Sequence, residues 1–272
     1  MPLEDVRAFL TGESPQLARI RRRHQRFPSS PRCKMCSVPF AGPGGLVMKH
    51  LGFGRWAANP AICEQCIRQF RKHGMTGVEL PVTLLFSDVR GSTSIGERLR
   101  PTEFRAFLDR FYRLAFDAIL EHEGLVDKIV GDEVIGLFFG GVSGPDHAGA
   151  AIRAALDLAE RASKPDATPM GPIPIGTAVH TGEAFVGATG PQGAADDFTA
   201  LGDPVNATAR LASAAAAGEV LVSLDALRAA GIEPMDREVR TLEIRGREAT
   251  LDVAVLRRAV AQEEVNPVGA AP

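Results

Sequence analysis

The chain has 272 residues, of which 45% are hydrophobic, and its formal net charge is −2. A chain of this length can bury one substantial core and carry a small second module. The near-neutral charge argues against general binding of nucleic acid. No apolar run approaches the roughly 20 residues of a membrane helix, and the N-terminus lacks the basic-then-apolar order of a signal peptide. We therefore expect a soluble cytoplasmic protein without a membrane span.

The N-terminal segment, residues 1–32, predicts a short helix followed by a basic run, ARIRRRHQRF, from Ala18 to Phe27. This run has two interpretations. It is either the solvated face of a helix or a patch for an anionic partner, and short charge runs are usually of the first kind.

All cysteines of the chain lie in two C-x-x-C pairs, which are Cys33 with Cys36 and Cys63 with Cys66. In a reducing compartment such clustering favours metal binding over disulfides. Four thiolates suit one tetrahedral ion, so we predict a structural zinc site in a cysteine module over residues 33–73. An iron–sulfur cluster is the alternative, since both can use four cysteines. The 26 residues between the pairs exceed the roughly 15 to 20 of a common zinc ribbon.

The next stretch, residues 74–81, has two glycines and a proline and predicts a linker. From Val82 onwards, strand and helix periodicities alternate. The predicted order is a strand (82–86), a helix (101–122), two strands (125–130 and 134–139), a helix (147–161) and two strands (173–180 and 184–187). This is the split βαβ order of an α+β, ferredoxin-like fold. A third helix (204–215), a strand (220–223) and a closing strand pair (239–244 and 250–256) complete a domain over residues 82–258, and residues 259–272 are predicted to be a disordered tail.

Two acidic residues, Asp88 and Asp132, stand at the edges of apolar, strand-like runs in PVTLLFSDVRGST and KIVGDEVIGLF. Taken singly, each is also typical of a helix cap or a turn. In a split βαβ fold, however, the first strand and the central hairpin are neighbours, so the two carboxylates can converge. Such an oxygen-rich, anionic pair suits Mg²⁺ or Mn²⁺ with a phosphate substrate.

A third segment, FTALGDPVNATARL, together with FSDVRGST and KIVGDEVIGLF, resembles the ordered motifs of class III nucleotidyl cyclases. The resemblance covers roughly residues 80–258. It implies an enzyme that converts a nucleoside triphosphate to its 3′,5′-cyclic monophosphate and pyrophosphate. It further implies two Mg²⁺ or Mn²⁺ ions per active site, held by Asp88, Asp132 and the backbone carbonyl of Val89.

The same resemblance assigns roles to five further residues. It places Lys128 and Thr199 at the base-selecting positions, Asn206 at the ribose-orienting position and Arg210 at the position that stabilises the transition state. Arg245 aligns loosely with a basic residue that contacts the terminal phosphates. Asn206 and Arg210 are four residues apart, so on one helix they share a face. A guanidinium keeps its charge and can bridge phosphoryl oxygens, which suits the role of Arg210.

The base preference follows from donors and acceptors. Lys128 can donate to adenine N1, and the hydroxyl of Thr199 can accept from the N6 amine, so ATP is the expected substrate. Family members that use GTP usually have glutamate and a small residue at these positions. The chain carries both halves of the site, and the resemblance implies a head-to-tail homodimer. The alternatives are a guanylate cyclase, or a catalytically degenerate cyclase domain that serves as a nucleotide-sensing regulatory module.

Overall fold

The computed structural model describes residues 3–57, 59–72, 77–165, 171–189, 197–235, 237–243 and 250–256. The described helices are α1 (Leu3–Thr11), α2 (Pro15–Gln25), α3 (Gly42–His50), α4 (Glu64–Lys72), α5 (Ser92–Arg98), α6 (Pro101–Glu121), α7 (Gly140–Ser143), α8 (His147–Ser163), α9 (Asp203–Ala214) and α10 (Leu224–Ala229). The described strands are β1 (Gly77–Val89), β2 (Leu125–Val130), β3 (Glu133–Phe138), β4 (Ile175–Thr189), β5 (Asp197–Leu201), β6 (Val220–Ser223), β7 (Val239–Glu243) and β8 (Thr250–Leu256). None of these helices combines the length and the apolar character needed to cross a membrane.

The strands form one sheet in the order β2-β3-β1-β4-β6-β8-β7, with β5 paired to β4. β1 runs antiparallel to both β3 and β4, whereas β6 runs parallel to β4. The order β2-β3-β1-β4, with α6 and α8 as crossovers, confirms the predicted split βαβ arrangement of an α+β fold. It places the end of β1 beside the turn between β2 and β3.

β1 is buried on both faces, and its successive residues point to opposite sides of the sheet. Leu85 and Val89 pack in the core that includes the buried residues of α6 and α8. Leu84 and Phe86 belong to the other core, which also holds residues from α1, α2, α9 and the cysteine module. The N-terminal region therefore packs directly on the sheet.

The basic run is only partly a solvated face. Leu17 and His24 of α2 are buried, and Arg21 donates hydrogen bonds to the backbone carbonyls of Met35 and Gly141. The interpretation of this run as a solvated helix face is thus wrong for Arg21, whose guanidinium joins the cysteine module to α7.

The predicted linker is wrong for residues 77–81, which form the first part of β1 and pair with β4. Pro81 is tolerated there because the pairing of β1 with β3 begins only at Thr83, so one side of the strand has no partner at the proline. The rest of that linker, 74–76, and the predicted tail, 259–272, lie outside the described residues.

The predicted break at Thr181 and Gly182 is also wrong, because β4 runs through both residues without interruption. Gly182 serves another purpose. A Cβ atom at this position would lie 2.7 Å from the side chain of Pro204, so the glycine allows the start of α9 to approach the sheet. The described helices α3, α4, α5, α7 and α10 and the strand β5 were not predicted.

Candidate active site and metal centre

The two predicted metal-binding carboxylates lie together at one edge of the sheet. Asp88 is the penultimate residue of β1, and Asp132 lies in the turn between β2 and β3. The backbone N–H of Val89 donates to the carbonyl of Asp132 at 3.3 Å, and Asp88 is the cross-strand partner of Glu133. The fold thus brings together three carboxyl groups from the two sequence motifs, those of Asp88, Asp132 and Glu133.

The pKa values of two of these groups indicate crowded negative charge. Burial raises the pKa of Asp88 to about 6, and the charge of Asp132 raises it as well, against the lowering effect of Arg90. Burial likewise raises the pKa of Glu133 to about 7, with further contributions from Asp88 and Asp132. Carboxylates held this close disfavour ionisation together, and a divalent cation would relieve their repulsion. The donor set is all oxygen, which fits Mg²⁺ or Mn²⁺.

Arg90 is a site residue that the sequence analysis missed. Its guanidinium forms an ion pair with the carboxylate of Asp88 and donates to the carbonyl of Ser213 at 2.9 Å. The space for this side chain depends on Gly176, where a Cβ atom would lie 3.0 Å from the Arg90 Nε. The signal in the sequence was an arginine two residues after the acidic residue, on the far side of the strand end.

Tyr112, the sole tyrosine of the chain, was also missed. Its hydroxyl donates to the carbonyl of Gly131 at 2.6 Å, which ties α6 to the turn that carries Asp132. Gly131 has a φ of 61°, a conformation that favours glycine. Burial raises the pKa of Tyr112, as do the nearby charges of Asp132 and Asp109. The tyrosine therefore stays a neutral donor that holds the turn in place.

The two predicted base-selecting residues, Lys128 and Thr199, both contact the carboxylate of Asp127. Lys128 is on β2 and Thr199 on β5, which are far apart in the strand order. The Thr199 hydroxyl donates to the Asp127 carboxylate at 2.9 Å, and the Lys128 ammonium lies 3.8 Å from the other oxygen of Asp127. The sheet must curl for this contact to form, and the rings of Phe139 and Phe198 pack at 6.0 Å beside it.

The helix α9 carries Asn206 and Arg210 on its exposed face, as their spacing predicted. The opposite face is buried through residues that include Ala207, Thr208 and Leu211. In the part of the chain that the structure describes, neither Asn206 nor Arg210 forms a hydrogen bond or ion pair with Asp88. Arg245 lies outside the described residues, so its predicted contact is not placed.

The four cysteines converge on one point. Their Sγ atoms all lie within 4.8 Å of one another, with Cys33 to Cys66 at 3.9 Å and Cys36 to Cys63 at 3.6 Å. These separations are far longer than a disulfide bond of about 2.05 Å. Four sulfurs at about 2.3 Å from one tetrahedral ion would be about 3.8 Å apart, so the cluster fits a single metal ion.

The cluster favours one thiolate at Cys33, while hydrogen bonds with Cys33 and burial raise the pKa of Cys36 and of Cys66 above the usual value. Burial raises the pKa of Cys33, but hydrogen bonds with the other three thiols outweigh it and hold that pKa well below its usual value. The backbone N–H of Cys63 also donates to the Cys33 sulfur at 3.3 Å. Beyond the sulfurs, the His24 ring lies against Phe53, and its Nδ1 is 2.8 Å from the Cys36 carbonyl. The ring and the backbone thus support the geometry of the cluster.

This split βαβ sheet, with two carboxylates brought together at a strand end, places the chain in the class of α+β proteins whose site is suited to two-metal phosphoryl chemistry. Within that class, the profile of the adenylate and guanylate cyclase catalytic domain matches residues 78–254. The chain belongs to this family, which confirms the resemblance seen in its three motifs.

Curated relatives include an adenylate cyclase of Anabaena cylindrica, 34% identical over 133 residues, which are 48% of this chain and 26% of that protein. Adenylate cyclase 1 of Rhizobium meliloti is 32% identical over 134 residues, which are 48% of this chain and 20% of that protein. The matched region thus spans about a quarter or less of these relatives.

Solved structures of both kinds of cyclase are similar to this chain. The guanylyl cyclase Cya2 is 28% identical, with a TM-score of 0.61 over 66% of this chain and 93% of that one. The adenylyl cyclase CyaB from P. aeruginosa is 25% identical, with a TM-score of 0.58 over 67% and 96% of the two chains. Similarity alone therefore does not decide between ATP and GTP.

Proposed function

We propose that this chain is an adenylate cyclase that converts ATP to 3′,5′-cyclic AMP and pyrophosphate. The observation that carries the proposal is the meeting of Lys128, Asp127 and Thr199 in one chain. An ammonium can only donate, which matches adenine N1, and a threonine hydroxyl can accept from the N6 amine. Because ATP and reduced thiols are both intracellular, we place the chain in the cytoplasm.

The carboxylates of Asp88 and Asp132, with the backbone carbonyl of Val89, would hold two Mg²⁺ or Mn²⁺ ions. When bound, such ions acidify the ribose 3′ hydroxyl and neutralise the charge of the phosphates. The crowded carboxyl groups and the raised pKa of Asp88, about 6, support this assignment. The guanidinium of Arg90 pairs with Asp88 and supplies it with a counter-charge.

The other residues of the site bind and orient the substrate. Lys128 and Thr199 hold the adenine, and Asn206 orients the ribose. Arg210 stabilises the negative charge that builds up on the α-phosphoryl group, because its guanidinium stays charged and can bridge two oxygens. Arg245 contacts the terminal phosphates.

We also propose that the site forms between two copies of the chain arranged head to tail. Metal-binding carboxylates would come from one copy and the base-, ribose- and phosphate-binding residues from the other. Two features support this arrangement. Asn206 and Arg210 are exposed on α9, and apolar residues beside the base-selecting pair are exposed by 40% (Ile129), 55% (Val130) and 51% (Leu201). Exposed apolar side chains grouped at a site are typical of an interface.

For the cysteine module we propose one structural Zn²⁺ held by four thiolates. The 3.6 and 3.9 Å separations between sulfurs favour a single ion over a multi-iron cluster, whose irons would hold the thiolates farther apart. Purified protein should contain about one zinc per chain by elemental analysis and lack visible absorption. A coloured protein with iron and acid-labile sulfide would refute the zinc assignment.

The reaction is tested by incubating purified protein with ATP or GTP and Mn²⁺ and identifying the products. We expect cyclic AMP as the main product and its loss in Asp132→Ala. A matched control is Asp225→Ala, since Asp225 forms an exposed pair with Arg228 on α10, away from the carboxylates of the site. Cyclic GMP as the main product would favour the guanylate cyclase alternative. No cyclic product under any metal condition would favour a degenerate, nucleotide-sensing domain.

A further inference from the structure

Asp127 occupies an irregular position in β2. The pairing of β2 with β3 shifts register between Val126 and Lys128, so Asp127 lies at the irregular position of the ladder. A bulge of this kind turns a side chain away from the regular alternation of the strand. Here the carboxylate reaches Thr199, 72 residues further along the chain.

The contact is shielded from solvent. The Asp127 side chain is 4% exposed and Thr199 is 3% exposed. Few water molecules can therefore compete for this hydrogen bond. A ligand atom that is buried beside Thr199 must form a hydrogen bond of its own, because an unsatisfied buried polar group is costly. The neighbouring Lys128 ammonium, 3.8 Å away, supplies the counter-charge for the ionised carboxylate.

The direction of this hydrogen bond determines what Thr199 can offer to a ligand. An ionised carboxylate only accepts, so the single proton of the threonine hydroxyl is committed to Asp127. The lone pairs of the oxygen remain, and the hydroxyl becomes an acceptor towards any other group. A free hydroxyl, by contrast, can rotate and act as donor or acceptor.

We propose that Asp127 is a positioning residue for base selection. By holding the Thr199 proton it makes the hydroxyl accept from a 6-amino purine and repel the lone pairs of a 6-oxo purine. The proposal rests on the proposed binding of the base at Lys128 and Thr199. It adds a specificity role for a residue that would contact the base only through Thr199.

The first test compares ATP with inosine triphosphate, a 6-oxo purine without the 2-amino group of guanine. In Asp127→Ala the freed hydroxyl can donate to O6, and the ratio of kcat/KM for ATP to that for inosine triphosphate should fall about tenfold, a difference of about 1.4 kcal/mol. Asp127→Leu refills the buried volume without an acceptor and should give the same fall. An unchanged ratio in both variants would overturn the proposal.

Thr199→Val provides the matched background. In this variant the hydroxyl is absent, so a further Asp127→Ala should change the ratio by less than about twofold. If Asp127 affects only packing, Asp127→Ala will lower the ratio of kcat/KM as much in the Thr199→Val background as in the original chain. That result would contradict the proposal.

A third measurement needs no substitution at Asp127. Thr199→Val removes a lone pair that faces O6, so inosine triphosphate should bind at least as tightly as to the original chain, while ATP should bind about tenfold more weakly. Displacement of a fluorescent ATP analogue without added Mn²⁺ measures both affinities. Weaker binding of inosine triphosphate would mean that the hydroxyl donates, and the proposal would be wrong. Since this assay needs no turnover, failure of the cyclase reaction would be seen separately.

Discussion

The shared active site can be tested by restoring activity from two inactive chains. Asp88→Ala removes a carboxylate of the metal-binding half, and Arg210→Ala removes the guanidinium of the other half. Each variant alone should be nearly inactive. Arg210 is exposed on α9, so its loss should change the free energy of unfolding by no more than about 0.5 kcal/mol.

The expected recovery follows from the symmetry of the dimer. Random pairing of equal amounts of the two chains makes about half of the dimers mixed, and a mixed dimer has one intact site out of two. Unfractionated co-expressed chains should therefore show about a quarter of the original activity, and mixed dimers purified through two different tags should show about half. The assay is cyclic AMP formation.

Two controls make the result decisive. Arg210→Ala paired with a chain that carries both substitutions has no intact site and should stay inactive. Arg228→Ala, whose side chain is 74% exposed on α10, should keep full activity by itself. If the two single variants recover no activity although mixed dimers form, the head-to-tail model is wrong.

Three further predictions concern the surroundings of the site. Because burial raises the pKa of Asp88 to about 6, the metal-free protein should lose unfolding free energy as the pH rises from about 4 to 6, and Mn²⁺ should bind more tightly over the same range. Urea unfolding and calorimetry test this, and flat profiles would contradict it. Tyr112→Phe removes only the 2.6 Å bond to Gly131 and should weaken Mn²⁺ binding about threefold with little change in Tm. Asn59→Ala removes a buried 2.8 Å bond to the Val126 carbonyl and should lower Tm by about 4 °C, measured by calorimetry; an unchanged Tm would count against this coupling.

The sequence predicted the elements whose patterns are local. The apolar stripe of α6 and the alternation around β2 and β3 gave bounds close to those observed. The topology then implied that Asp88 and Asp132 would meet, because the first strand and the central hairpin are neighbours in a split βαβ fold. That Asn206 and Arg210 share one face of α9 likewise follows from helical spacing alone.

What the sequence did not predict depends on contacts between distant segments. Gly182 suggested a break, yet its role is to admit Pro204 from α9. Arg90 follows Asp88 by two residues, but that spacing alone does not predict their ion pair, because Arg90 lies just beyond the end of β1. Asp127 looked like an ordinary strand residue, because a register shift with β3 cannot be read from β2 alone.

The cysteine module packs against β2, the strand that carries Lys128, and is not a separate head on a linker. Lys34 N–H donates to the Ala61 carbonyl at 2.9 Å, which ties the first cysteine pair to the segment before the second. In that segment Asn59 donates to the carbonyl of Val126, the residue directly before Asp127. The module therefore contacts β2 at its bulge, where the backbone departs from regular pairing and is least fixed by β3. Any change in the cysteine cluster that moves Asn59 acts on the strand position that orients Asp127 and Lys128.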